Sequence, residues 1–199
     1  MAQARVRARS ARGESVFGER FAVFAECLLT GVWIAVACLG VVTYPAAFAA
    51  GARHLRRRAV HQDGGLRDFA VDFRAAVRGG WAVGLAGWAA AAAVWVDVLA
   101  SRAGLPGGPL AGAVGVFALI GLAVAVLRAA AVWTPGSRWR VLLADAGRRT
   151  VRDPAGSFLI VCGPVVVALS AWFLPPLAVP VLGAAVAAAV AVEVRYRHR

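Results

Sequence analysis

Phe21 to Ala52 reads FAVFAECLLTGVWIAVACLGVVTYPAAFAAGA. These 32 residues carry one charged side chain, Glu26, and one proline, Pro45. A helix crosses the hydrocarbon core of a bilayer with about 20 residues, so the stretch can cross once with length to spare. Proline lacks a backbone N–H and clashes with the preceding turn, so it ends or kinks a helix. A break near Thr43-Tyr44-Pro45 therefore leaves two readings. Either the segment is one kinked crossing, or Tyr44-Pro45 bends it into a re-entrant hairpin with both ends on one side.

Four further apolar runs follow: Trp81 to Ala100, Leu110 to about Leu127, Ser157 to Leu174 and Leu177 to Val194. Pro175-Pro176 marks a tight turn between the last two, and Leu105-Pro106-Gly107-Gly108-Pro109 closes a hairpin between the second and third. The chain is 61% hydrophobic and 16% charged, against about 45–50% and about 25% in a soluble domain. A globule this apolar would expose its excess to water, which excludes a water-soluble enzyme. The expected fold is an all-α integral membrane bundle with about five transmembrane helices and two short amphipathic interfacial helices. A basic tail, 1–20, precedes one transmembrane domain, 21–194 (spans 21–52, 81–100, 110–127, 157–174 and 177–194), and a basic tail, 195–199, ends it.

All 22 basic residues are arginine and the net charge is +12. The connection 53–79 holds seven arginines, the connection 128–156 six and the C-terminal tail three. With five crossings these sixteen share one face, against six on the other. Arginine is costly to translocate, so the richer face is expected to be cytoplasmic, the C-terminus inside and the N-terminus outside. The five arginines of the N-terminal tail run against that layout, and the hairpin reading removes the conflict. The apolar stretch exceeds the 7–15 residues of a secretory signal core, so an uncleaved anchor is expected. The arginines flank apolar spans and no aromatic-rich polar surface accompanies them, so nucleic acid is not an expected partner.

Gly65 to Gly79 reads as an amphipathic helix, with Leu66, Phe69, Phe73 and Val77 on one face and Arg67, Arg74 and Arg78 on another. Such a helix can lie among lipid headgroups, its arginines meeting phosphates or a partner. Trp139 to Thr150 repeats the theme, which makes span, basic helix, span occur twice, in 21–100 and 110–174. Charged residues inside spans are functional suspects because burying them is costly. Three stand out: Glu26, Asp97 and Arg128. The five-span layout puts Glu26 and Asp97 in the outer half, within reach of Arg20 or Arg102, and leaves Arg128 to snorkel at the inner boundary. Trp81, Trp88 and Trp95 share a face, the outer two as interface anchors and Trp88 as a packing residue. Gly80 and Gly84 have the GxxxG spacing of closely packed helices, compatible with a homo-oligomer.

Chemistry is harder to find. No HExxH, GxSxG or GxxxxGK[ST] pattern occurs, and His54, His61 and His198 lack metal-ligand spacing. His54 and His61 read as parts of a basic loop. Cys27, Cys38 and Cys162 read as small buried hydrophobes. No catalytic residue, metal or cofactor is expected.

Val41-Val42-Thr43-Tyr44-Pro45-Ala46, the arginine-rich turn, and the Phe69–Phe73 helix leading into Trp81 together resemble the hallmark stretch of the YesL-like membrane proteins. Asp97 matches the aspartate that closes the family's second span, and Leu142 to Pro154 is similar to its later connection. The resemblance covers about residues 15–194. Tyr44 replaces the glycine expected before the proline, and arginines stand where lysines are common. What the resemblance implies is a five-span bacterial plasma-membrane protein associated by genomic setting with binding-protein-dependent carbohydrate uptake, and no known reaction. The expected partners are the lipid bilayer and carbohydrate transporter subunits. The expected role is a non-enzymatic accessory or scaffold; the alternative is a small transporter or channel subunit with a pathway near Glu26 and Asp97.

Overall fold

In the computed structural model, which describes residues 25–60, 62, 64–103 and 107–197, the first apolar run is two helices rather than one. Helix α1 (25–37) passes through a 3-10 turn, Cys38–Gly40, to a break at residues 41–43, and α2 (Tyr44–Ala59) begins directly after it. Pro45 sits in the first turn of α2, where its missing N–H has no helical partner to lose. The proline therefore starts a helix instead of kinking one. At the break Val41 takes φ of +50°, a region that side chains other than glycine rarely occupy.

The remaining helices are α3 (Leu66–Arg102), α4 (Gly108–Val132), α5 (Trp139–Arg152), α6 (Pro154–Phe173) and α7 (Pro175–Arg197). The fold is an all-α bundle, as expected. Four helices are long and apolar enough to cross a membrane: Leu66–Arg102, Leu110–Val132, Pro154–Phe173 and Ala178–Tyr196. The apolar helix Ala25–Gly40 is shorter, and α2 folds back along it. Glu26, near its start, pairs with His54 and Arg58 near the end of α2. Gly51 of α2 lies on Ile34 and Thr30 of α1. Both ends of α1–α2 thus stand together, and the break between them is the far point of a hairpin.

The hairpin inserts alongside α3. Arg53 and Arg57 of α2 meet Asp72, Ala46 lies on Gly80, and Val42 and Tyr44 lie on Gly84 and Gly87. The tip therefore stands beside Gly84–Trp88, about 9–15 Å along α3 from Arg78 at 1.5 Å per residue. Backbone at such a depth must find its hydrogen bonds within the protein. The Trp88 Nε1–H donates to the Val41 carbonyl at 3.1 Å, and Thr43 Oγ1 donates to the Ala37 carbonyl at 2.8 Å. Small residues make the approach possible. Ala46, Ala47, Ala49, Ala50 and Ala52 are all buried, and a Cβ on Gly84 would meet the Val42 carbonyl oxygen at 1.8 Å.

The expected interfacial helix over 65–79 is not separate. It is the first third of α3, continuous with the apolar span. Gly79 and Gly80 do not end it because they serve packing: the Trp139 indole lies on both and its Nε1–H donates to the Ala76 carbonyl at 3.1 Å. The second amphipathic stretch is the separate helix α5, so the two suggested units differ in build. Spans three, four and five extend beyond the expected limits, to Val132, back to Pro154 and on to Arg197. Leu174 separates α6 from α7, and Pro175 opens α7, where a turn was expected.

The buried core gathers at the end of the bundle that carries the arginines. Trp133, Trp139, Ala76 and Ala146 form one cluster, and Ile34, Phe69 and Val186 another. Toward the opposite end, Trp95, Leu99, Phe117, Trp172 and Phe173 are exposed. Apolar surface on this scale is soluble only in lipid. Arg102 alone among the described arginines stands at that apolar end. The N-terminal tail arginines, Arg20, His61, His198, Leu105 and Pro106 lie outside the described residues.

Candidate functional site

The buried charged side chains among the described residues fall into two groups, both at the arginine-rich end. The first joins four helices. Arg128, near the end of α4, is fully buried. Its Nη2 donates to Asp153 Oδ2 at 3.0 Å, to the Asp153 carbonyl at 3.2 Å and to Ser157 Oγ at 3.3 Å. Its Nη1 lies 3.5 Å from Glu193 Oε2 in α7, and Arg149 of α5 pairs with the other Glu193 oxygen. Two guanidinium groups and two carboxylates thus balance in a buried quartet. Asp153 is also the cap of α6, its Oδ1 accepting from the Gly156 N–H at 3.1 Å. Burial acts to raise the Asp153 pKa, but the Arg128 hydrogen bond, the Gly156 N–H and the charges of Arg128 and Arg195 outweigh it, and the carboxyl sits below the ordinary aspartate value.

The second group holds the hairpin. Asp72 of α3, buried, binds Arg53 at 2.7 Å and Arg57 at 3.0 Å. Glu26 accepts from Arg58 at 2.5 Å and lies 3.1 Å from His54 Nε2. His54 is itself buried, edge-on to Trp33 at 5.0 Å. Between the groups Arg56 donates to the carbonyls of Ala131 and Trp133 at the end of α4. A cation there satisfies orphan carbonyls and opposes the negative end of the helix dipole.

Several sequence-based expectations change. Arg128 does not snorkel, because Asp153 and Glu193 offer it a buried ion pair. His54 is not in a loop; it lies in α2, facing α1. Glu26 and Asp97 do not share one half of the membrane. Glu26 stands at the hairpin base near Asp72, while Asp97, about 37 Å farther along α3, faces Gly115 of α4. Gly80 and Gly84 are occupied by this chain's own hairpin and Trp139, so that pair packs within the chain. Arg67, Arg74 and Arg78 are exposed along one face of α3. Cys27, Cys38 and Cys162 are free and partly buried, and no group that could hold a metal occurs among the described residues.

The functional candidates that sequence reasoning missed are Asp72, Asp153, Glu193, Arg149 and His54. Glu193 carried a signal, since it is an acid inside an Ala/Val run expected to span. Asp72 carried another, lying three residues from Phe69 on the apolar stripe. Asp153 reads in sequence only as the residue before a proline. No protein-family model, curated protein or solved structure matches the chain.

Proposed function

We propose that the protein is a non-enzymatic accessory or scaffold of a bacterial plasma membrane, with its arginine-rich end and C-terminus in the cytoplasm. The observation that carries this reading is the distribution of charge. The buried charges are paired within the chain and pin helices together, whereas Arg67, Arg74 and Arg78 stand exposed on the polar extension of α3. The first set holds the bundle; the second presents a basic row to an acidic partner surface. The resemblance to YesL-like proteins supports a subunit of a carbohydrate importer as that partner. A pathway through Glu26 and Asp97 draws no support from two carboxylates at opposite ends of the bundle.

Affinity purification of the tagged, detergent-solubilised chain tests the reading. The expected result is co-purification of carbohydrate importer subunits, lost when Arg67, Arg74 and Arg78 are replaced by glutamate. Unchanged recovery from that variant removes the α3 row from the interface. Solute flux into liposomes holding the purified chain alone would replace the scaffold with a transporter.

A further inference from the structure

Two of the apolar helices able to cross a membrane, Leu110–Val132 and Ala178–Tyr196, end at the arginine-rich side. Their last residues, Val132 and Tyr196, line one cleft of about 500 Å³ together with Leu142, Arg148, Arg149 and Arg152 of α5. Where a span's apolar sequence ends, the hydrocarbon layer gives way to headgroups. The cleft therefore lies at the level of the lipid phosphates. Val132 and Leu142 give it an apolar part, and three guanidinium groups give it a basic one.

The guanidinium groups are not equivalent. Arg149 is held by Glu193, which fixes it on the lining. Arg148 faces Asp145, also on the lining. Arg152 forms no ion pair or hydrogen bond among the described residues, and its charge is available to a ligand. Arginine's planar fork matches two oxygens of one phosphate, and basic pockets between helix ends on the cytoplasmic side suit anionic headgroups.

We propose that this cleft is a binding site for the phosphodiester headgroup of an anionic phospholipid. Arg152 and Arg148 contact the phosphate, Arg149, held by Glu193, walls the cleft, and Tyr196 sits at the interface depth that aromatic side chains with a polar tip favour. Val132 and Leu142 receive the apolar start of the acyl chains. A soluble phosphate could use the guanidinium groups but would gain nothing from that apolar part. The site is separate from the α3 row and needs no partner protein.

Full-length protein in a neutral detergent is titrated with phosphatidylglycerol, phosphatidylcholine or glycerol 1-phosphate, with bound lipid read by native mass spectrometry and stability by thermal unfolding. Phosphatidylglycerol is expected to bind and raise Tm, and the other two are not. Replacing Arg148 and Arg152 together by alanine is expected to weaken phosphatidylglycerol binding about 30-fold, at about tenfold per 1.4 kcal/mol and one guanidinium contribution each. The same charge change at exposed Arg138 and Arg140 is expected to leave it intact. Asp145→Asn, which removes a negative charge from the lining, is expected to tighten binding, and it tests the site even if the double variant does not fold. Equal binding of phosphatidylcholine, or equal losses in the two double variants, would overturn the site. Competition by glycerol 1-phosphate would overturn the lipid assignment in favour of a soluble anion.

Discussion

Arg128 shows what one residue does in this bundle. Its guanidinium closes the gap between the end of α4, the cap of α6 and the last turns of α7. Removing one partner from a buried ion pair leaves uncompensated charge, which typically costs 3–5 kcal/mol. Arg128→Met is therefore expected to destabilise the protein by about 3–5 kcal/mol, measured by denaturant unfolding in detergent. Destabilisation below about 1 kcal/mol would mean the quartet is not buried as described. Asp153 adds a pH dependence whose sign follows from its lowered pKa. A carboxyl more acidic in the folded state stabilises it fully above the unfolded value, about 3.9, and that contribution is lost as pH falls through the folded value. Thermal stability should thus decline below about pH 4, and Asp153→Asn should be less stable at neutral pH but show a shallower acid decline. Identical acid slopes for the two proteins would contradict this.

At the scale of elements, the hairpin α1–α2 depends on close backbone approach at both its tip and its base. A Cβ on Gly84 would meet the Val42 oxygen at 1.8 Å, and one on Gly183 would meet the Cys27 oxygen at 1.9 Å. Neither neighbour is a flexible side-chain end, so backbone has to move. Gly84→Val and Gly183→Val should each lower Tm in detergent, Gly84→Val by displacing the tip from α3. Trp88→Phe should lower it less, since it removes the hydrogen bond to the Val41 carbonyl but keeps the ring. An unaltered Tm in both glycine variants would show that the hairpin is not seated there.

These elements also show what sequence can reveal. Long apolar runs and proline-rich turns are local signals, so the helices from Trp81 onward were legible to within a few residues. The outcome at Tyr44-Pro45 was not, because proline suits a kink and a new first turn equally. Seating against α3, through Gly80, Gly84 and Gly87, favours the hairpin, and those contacts are distant in sequence. The break at Gly79-Gly80 failed to appear for a related reason: the glycines admit Trp139, which lies about sixty residues away. The candidate site was legible only in part. Arg128 and Glu26 stood out as charges in apolar runs, but their partners came from three other helices.

For the whole molecule, the hairpin changes the electrostatics of the layout. If the hairpin returns to its own side and the four long apolar helices cross, chain enters and leaves the membrane on one side. The described arginines except Arg102 then share that side. This is the separation that the cost of translocating arginine demands. At the other end Trp95, Phe117, Trp172 and Phe173 are exposed among the described residues, a surface suited to bilayer lipid. Whether the two ends of the chain lie on one side or on opposite sides separates a hairpin from a crossing. The most direct test fuses a pair of topology reporters, one active only in the cytoplasm and one only outside, to the N-terminus, to the turn after Arg102 and to the C-terminus in turn. Both termini should report inside and the turn outside; an N-terminus outside with the C-terminus inside would mean that Phe21–Ala52 crosses, and would contradict the hairpin.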